Sequence, residues 1–318
     1  MGNFTIVTGF LLMNFSNTWE LQVLHAVLFL LIYLLALIGN LLIFTLISLD
    51  RNLHTPMYFF LKNLSILDLC LVSVTVPKSI VNSLSNNCSI SYLGCVLQLF
   101  LVILFAGSEI SLLTVMSYDR YVAICQPLHY ETIMIKRSCV SMAVASWFSG
   151  SVLGAMYSAS TFSLPFCGSK EIYQFFCDVP SLLRISCSEK HIAVYVSITI
   201  GLGLGIFCCI SIIISYGHIF STVLKIPSRK GQSKAFSTSL PHLIVFVVFI
   251  ITGGTAYFKP SLDSDSVKDL LLSVFYTVVP PTINPFIYSL RNKDMKNSLR
   301  KLITWKYSTE GLMKKSFP

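Results

Sequence analysis

Seven long stretches of this chain carry almost no charge. Leu21 to Leu49, Ser138 to Ser169, His191 to Leu224, Ala235 to Phe258 and Leu270 to Leu290 contain no Asp, Glu, Lys or Arg. Phe59 to Val76 contains only Lys62 and Asp68, and Cys95 to Tyr118 only Glu109. Each stretch can cross a hydrocarbon core, which takes roughly 20 helical residues. The 318 residues are 54% hydrophobic and 12% charged. That is about half the charged fraction of a soluble domain, so lipid is the natural solvent for the excess. The expected fold is an all-α membrane protein, a seven-transmembrane helix bundle over residues 24–290. An N-terminal segment, 1–23, precedes it, and a tail, 291–318, follows with a short amphipathic helix. In that tail Met295, Leu299, Leu302 and Ile303 recur at helical spacing with basic residues between them, a pattern that suits a helix lying on a leaflet.

An odd number of spans puts the two ends on opposite sides. Lys78, Lys170, Arg184, Lys190, Lys259 and Lys268 fall on the N-terminal side, and the other 17 of the 23 Lys and Arg fall on the far side. The positive-inside rule then predicts a multi-pass protein of the plasma membrane, N-terminus extracellular and C-terminus cytoplasmic. The net charge of +9 reads as attraction to membrane lipid of the inner leaflet. No nucleic-acid motif accompanies it, and no nucleic-acid partner is expected. The first 20 residues lack a basic start, so the first span is expected to serve as the insertion signal. Asn3 and Asn14 stand in glycosylation sequons on the outer side; Asn87 does too, but close to the membrane.

Charge inside a membrane is costly and marks function. Asp68 and Glu109 lie near mid-membrane by count, on the second and third spans. Two facing carboxylates need a proton, a cation or water between them. Oxygen ligands suit a hard cation such as Na⁺, and Asn40 and Asn284 can complete a polar cluster. The competing reading is an interhelical hydrogen-bond knot. The seventh span contains "PPTINPFIYSL"; Pro285 breaks its ladder, and Asn284 can satisfy freed backbone groups or reach across the bundle. Five cysteines, Cys88, Cys95, Cys167, Cys177 and Cys187, fall on the oxidising side. Two bridges fit them, with the pairing open. The other five read as small apolar fillers.

The motifs together carry a resemblance. Gly39-Asn40 stands in the first span, "LHTPMYFFLKNLSILDLC" covers Leu53 to Cys70, and "MSYDRYVAICQPLHY" covers Met116 to Tyr130. Ser215-Tyr216 lies in the fifth span, "KAFSTS" with His242 opens the sixth, and "PPTINPFIYSLRNKDMK" closes the bundle. On these stretches, which run its full length, the chain resembles the rhodopsin-like G-protein-coupled receptors and, within them, the olfactory receptors of the tetrapod type. The resemblance implies an odorant-activated receptor coupled to a heterotrimeric G protein of the stimulatory, olfactory type that raises cyclic AMP. It implies bridges Cys95–Cys177 and Cys167–Cys187. It places Asp119, Arg120, Tyr121, Tyr216, Asn284, Pro285 and Tyr288 at activation and G-protein-facing positions, with Asp119 restraining Arg120 at rest. Asp68 and Glu109 match acidic positions associated with sodium as an allosteric ion; no other cofactor is implied.

The family's pocket positions, combined with depth counting, name the candidate ligand-binding residues. They are Val102, Ile103, Ala106 and Gly107 on the third span and Ile200, Gly201 and Leu204 on the fifth. Gly253 and Tyr257 follow on the sixth, and Val274 and Thr277 on the seventh. None is charged, which predicts a small neutral hydrophobic odorant, with Tyr257 and Thr277 as hydrogen-bond anchors. Two departures from the family pattern stand out. Pro241 near the start of the sixth span is expected to kink or shorten it, and Phe249-Ile250-Ile251 replaces a polar ring. The rival readings are a heptahelical receptor for a non-odorant small ligand and a transporter. The chain shows no internal repeat, which disfavours a transporter, and no HExxH, GxSxG or GxGxxG motif that would point to an enzyme.

Overall fold

Helix α1 (Trp19–Leu49) shows how the charge-free runs fold. Ala26, Phe29, Ala36, Asn40, Ile43 and Ile47 are buried, while Leu24, Leu28, Leu31, Leu35 and Ile38 are exposed. Both sets repeat every three or four residues, so they occupy opposite helix faces. An outward face with so many large aliphatic side chains is one that lipid accepts and water does not. The helix begins at Trp19, ahead of the boundary expected at residue 24.

The computed structural model describes residues 8–13, 18–85, 88–167, 170–188, 190–257, 266–291 and 294–302. The side chains of 234, 254–257, 266–272 and 290–291 lie outside that description, as do Asn3, Asn14, Asn87 and Ile303 entirely. The remaining long helices are α2 (Pro56–Ser85), α3 (Tyr92–Cys125), α4 (Lys136–Phe162), α5 (Ile192–Leu224), α6 (Arg229–Tyr257) and α7 (Ser266–Arg291). Among the described residues, six helices, α1 to α6, are long and apolar enough to cross a membrane. The seventh, α7, carries Pro280, Pro281 and Pro285 and packs on α1, α2 and α6. A short helix, α8 (residues 294–302), follows it. Pro241 sits inside α6, and the helix runs on through it to Tyr257, so the expected shortening is absent.

Helix α3 is the centre of the bundle and touches α2, α4, α5 and α6. Its approach to α4 is close because α4 offers glycines there. A Cβ at Gly150 would fall on the Leu104 carbonyl and on Ser108, and one at Gly154 would sit 2.7 Å from the Phe100 carbonyl. Small residues that let backbones approach are what holds helices together in lipid, where hydrophobic burial no longer drives association.

The contact of α1 with α7 solves a backbone problem. Pro285 has no N–H, so the Pro281 carbonyl one turn earlier has no helical donor. Asn40 Nδ2 donates to that carbonyl at 2.9 Å, and also to the Ala36 carbonyl at 3.0 Å. Gly39 makes the approach possible, since a Cβ there would lie 2.9 Å from Pro285 Cβ.

One end of the bundle carries both disulfides, Cys95–Cys177 and Cys167–Cys187. It also carries a small sheet that an all-helical reading leaves out. Strand β1 (Gly9–Leu12) lies between β2 (Ser89–Ser91), antiparallel, and β3 (Glu171–Ile172), parallel. Leu11, Leu12 and Met13 donate their N–H groups to the carbonyls of Lys170, Cys88 and Gln174. Phe10 is buried against Tyr92 and Phe166. Strands of two to four residues are too short to leave a period in the sequence.

Gly150→Ala should lower the midpoint of thermal unfolding in detergent, by the about 1–3 kcal/mol that overpacking costs. Gly203, with nothing within 4 Å of its would-be Cβ, is the control: Gly203→Ala should gain up to about 1 kcal/mol of helix propensity. The reverse order of the two midpoints would contradict the close α3–α4 contact.

Candidate functional site

At the disulfide end, the loop between α4 and α5 turns into the bundle. Phe175, Phe176 and Cys177 are all fully buried. Phe175 packs on Phe29 of α1, with ring centroids 5.9 Å apart, and Phe176 on Tyr276 of α7 at 6.2 Å. Gln98 of α3 pins this loop: its Oε1 accepts from the Cys177 N–H at 2.9 Å while its Nε2 donates to the Val74 carbonyl of α2 at 3.0 Å. Sequence reasoning missed Gln98, Phe175 and Phe176. The available signal was the aromatic pair directly before Cys177 in "QFFC", because a bridge to Cys95 at the start of α3 drags its neighbours over the helix ends.

Beneath this plug the candidate ligand residues divide. Val102 is buried, Ile103 and Leu204 are half-buried against the core at the disulfide end, and Ala106 is half-buried. Val274 packs on a buried cluster of α1, α2 and α7, and a Cβ on Gly253 would meet nothing within 4 Å among the described residues. Thr277 is buried, but its hydroxyl donates to the Ser273 carbonyl at 2.6 Å, so it is left to act as an acceptor. The Tyr257 side chain lies outside the described residues. Three of the expected pocket residues face elsewhere. Ile200 is 50% exposed, on the outer face of α5. Gly201 abuts the Tyr157 side chain of α4. A Cβ on Gly107 would meet Leu153 at 3.1 Å and the Gly150 backbone at 3.3 Å, again on α4. The physical reason is common to all three: counting along a helix fixes depth, whereas one residue turns the side chain by about 100°.

Midway down the bundle, Asp68 of α2, Glu109 of α3 and Asn284 of α7 meet, all fully buried. Asn284 Nδ2 donates to Asp68 Oδ1 and Oδ2 at 3.3 and 3.1 Å and to Glu109 Oε1 at 3.4 Å. One amide therefore ties three helices, with two carboxylates facing a single donor. Asn284 Oδ1 is buried with no hydrogen-bond partner among the described residues. Asn284 thus reaches across the bundle, and Asn40 takes the backbone duty.

At the far end, Asp119 is wholly buried and holds Arg120, whose Nε and Nη2 both donate to Asp119 Oδ2. Tyr130, in the connection between α3 and α4, donates its hydroxyl to Asp119 Oδ1 at 2.8 Å. Burial first, and then the Asp119 charge, push the Tyr130 phenol up, so it stays a neutral donor at physiological pH. Beside this lies a second cluster. His242 of α6 has Nε2 3.0 Å from the Leu113 carbonyl of α3 and Nδ1 2.6 Å from the Tyr216 hydroxyl of α5. A carbonyl only accepts, so Nε2 carries the proton, Nδ1 is bare, and Tyr216 donates to it. The Ser239 carbonyl, 3.0 Å from the same hydroxyl, competes for that proton. Tyr288 of α7 is buried, and its hydroxyl has no partner among the described residues. It lines a small cavity shared with Met57, Met116, Arg120, Pro241 and His242. Tyr121 is half-exposed, ring-stacked on Tyr118 and beside His218 of α5.

Comparison with known proteins agrees with this layout. The family model described as "Olfactory receptor" matches residues 29–306. The chain belongs to the olfactory receptor family. It is 62% identical to human olfactory receptor 14A2 over 98% of this chain and 99% of that one. It is 55% identical to human olfactory receptor 14K1 over 99% of this chain and all of that one. The crystal structure of squid rhodopsin shares the fold, with a TM-score of 0.70 at 15% identity over 91% of this chain and 87% of that chain. The protein is therefore a multi-pass membrane receptor of the G-protein-coupled kind and not an enzyme.

The receptor's α8 is docked on the bundle. Met295 is buried in the main core, with Leu299 and Leu302 packed at its edge, while Lys296, Asn297, Arg300 and Lys301 face out. Asp50, just after α1, anchors it. Ser298 Oγ donates to Asp50 Oδ2 at 2.6 Å, and Lys301 Nζ stands 3.5 Å from the same oxygen. The Asn52 N–H and side chain both donate to Asp50 Oδ1, at 3.0 and 2.8 Å. These donors, Ser298 foremost, hold the Asp50 carboxyl down at about 2. A lowered folded-state pKa contributes stability fully above the ordinary carboxylate range and loses it as pH falls through the lowered value. A fluorescent reporter at exposed Asn297 should therefore give a constant signal from pH 7 to about 4 and change as pH approaches 2. Asp50→Asn should abolish that acid transition; a transition centred near pH 4 in the parent would contradict the anchor.

Proposed function

We propose that this receptor is activated by a small, neutral, hydrophobic odorant and signals through a stimulatory, olfactory-type G protein to raise cyclic AMP. The disulfide end faces outside and α8 the cytoplasm, a reading supported by the bias of 17 of the 23 Lys and Arg toward the α8 side. Val102, Ile103, Ala106, Leu204, Gly253, Val274 and Thr277 line the odorant site, with Tyr257 as a further anchor. Phe175 and Phe176 close it from above. The absence of charge among these residues supports a neutral ligand, because an unpaired charge in an apolar pocket is costly.

The observation that carries the reading is the thread Leu113 carbonyl–His242–Tyr216. It joins α3, α6 and α5 beside Arg120. Moving α6 outward cannot keep both bonds of His242. The resting state holds them; the active state breaks them and frees Tyr216 and Arg120 for the G protein. An odorant shifts the balance by no more than its difference in affinity for the two states. At equal surface level, Arg120→Ala should abolish the odorant-driven cyclic AMP rise. His242→Ala should raise the basal signal, on the order of tenfold for a coupling of about 1–3 kcal/mol. Retained signalling in the first variant, or unchanged basal signal in the second, would sink the switch. Agonists that are all charged would sink the neutral pocket.

A sodium ion fits the cluster of Asp68, Glu109 and Asn284. The donors are oxygens, Asn284 Oδ1 is unpartnered there, and two carboxylates match a weak monovalent site. Among the described residues no group of three or more His, Cys, Asp and Glu side chains occurs, which disfavours a divalent cage. The ion offsets one of the two carboxylate charges and holds the resting bundle. Replacing NaCl with a bulky-cation salt should raise basal signalling in the parent and leave Glu109→Gln unmoved; equal responses in both would refute the ion.

A further inference from the structure

The Asp50–Ser298 contact carries a consequence beyond anchoring. Ser298 is nearly fully buried and gives its one hydroxyl proton to Asp50 at 2.6 Å. Around it α8 presents Lys296, Arg300 and Lys301 on the exposed side, at two before, two after and three after in sequence. A buried serine donor facing a carboxylate within a basic stretch is a place where one chemical change reverses the sign of a contact. We propose that Ser298 is a phosphorylation site for a serine/threonine kinase that reads flanking basic residues, and that the phosphate holds α8 off the bundle. The proposal rests on the reading that α8 faces the cytoplasm, where kinases and MgATP are found.

The step is ordinary phosphoryl transfer from MgATP. The Ser298 oxygen bonds to the γ-phosphorus, the bond to the bridging oxygen of ADP breaks, and the hydroxyl proton leaves through the kinase's base. Ser298 is out of reach while α8 is docked, so the kinase acts only on the undocked helix. After transfer the oxygen has no proton to give, and a group carrying about −1.5 to −2 charge faces Asp50. Lys301, 65% exposed and 3.5 Å from Asp50, can swing to the phosphate and strip Asp50 of its remaining cation. Redocking would also force phosphate bulk into the space beside buried Met295. Phosphorylation thus ratchets a transient opening into a lasting one and exposes the surface of α1 and α2 that α8 covers.

The test uses the full-length receptor in nanodiscs, where both faces meet the solution. It is incubated with MgATP and the catalytic domain of a basic-directed kinase. Phosphate is mapped by mass spectrometry, and amide exchange is followed over residues 294–302. The expected result is phosphate on Ser298, incorporated several-fold faster in Asp50→Asn. Exchange of α8 in the phosphorylated parent should rise on the order of tenfold, as loss of a charge-assisted bond implies. Ser298→Ala should take no phosphate at that position and should show the smaller rise. No phosphate on Ser298 in either the parent or Asp50→Asn overturns the proposal, as does phosphate with unchanged exchange. Staining of a tail epitope in intact and permeabilised cells tests the side of the membrane separately. If that fails, the nanodisc result still stands or falls on its own.

Discussion

A lipid bilayer offers no water to an unpaired carbonyl, and that constraint organises this bundle. Pro285 creates such a carbonyl at Pro281, deep in α7. Asn40 answers it from α1, and Gly39 gives Asn40 the room. With this backbone debt met by a neighbour, Asn284 is released from local duty and can span α2 and α3. The break in α7 is therefore held from two sides. Taking away the α1 donor would leave a buried carbonyl stranded, a loss on the order of 1–3 kcal/mol, and would loosen the segment that carries Asn284.

Helix α7 also connects the middle of the bundle to its far end. Asn284 and Tyr288 are four residues apart and so share one helix face. The first binds the two carboxylates. The second places an unpartnered hydroxyl in the cavity beside Arg120 and His242. A shift of α7 that disturbs Asn284 must therefore move Tyr288 within the cavity where the α3–α5–α6 thread is made. This is a contiguous physical route with a discrete two-bond element at its end, one kind of network that can carry coupling between distant sites.

The sequence made some of this plain. Runs without charge announce spans, and depth follows from counting, so the level of Asp68, Glu109 and Asn284 was legible. Rotation about each helix was less so. Ile200 and Gly201 are neighbours at one depth, yet one meets lipid and the other meets Tyr157. Gly107 reads as pocket until Gly150 is known to lie against it. The sheet built on β1 and the inward turn of Phe175 and Phe176 were hidden because they depend on long-range closure through Cys177 and Gln98, not on any local period. The α8 pattern was visible as amphipathic, but its burial at Met295 and its tie to Asp50 cross more than two hundred residues of chain, a pairing that no local pattern reveals.

The acidic-basic pair at the end of α3 takes on a narrower role once its neighbours are known. Asp119 and Arg120 are adjacent in sequence, and adjacent residues on a helix do not by themselves join two elements. Their contact orients the guanidinium within α3. Asp119 reaches outside its helix through Tyr130, which fixes the connection to α4. Neither contact crosses to α6. The bonds that do cross are those of His242, to the Leu113 carbonyl on one side and to Tyr216 on the other. Asp119 thus orients Arg120, whereas His242 ties α6 to α3 and α5. A charge reversal at Asp119 would mis-aim the guanidinium, whereas loss of the imidazole would free α6 with the guanidinium still aimed. The two changes should therefore move signalling in opposite directions, a contrast that a simple salt-bridge lock at the end of α3 does not predict.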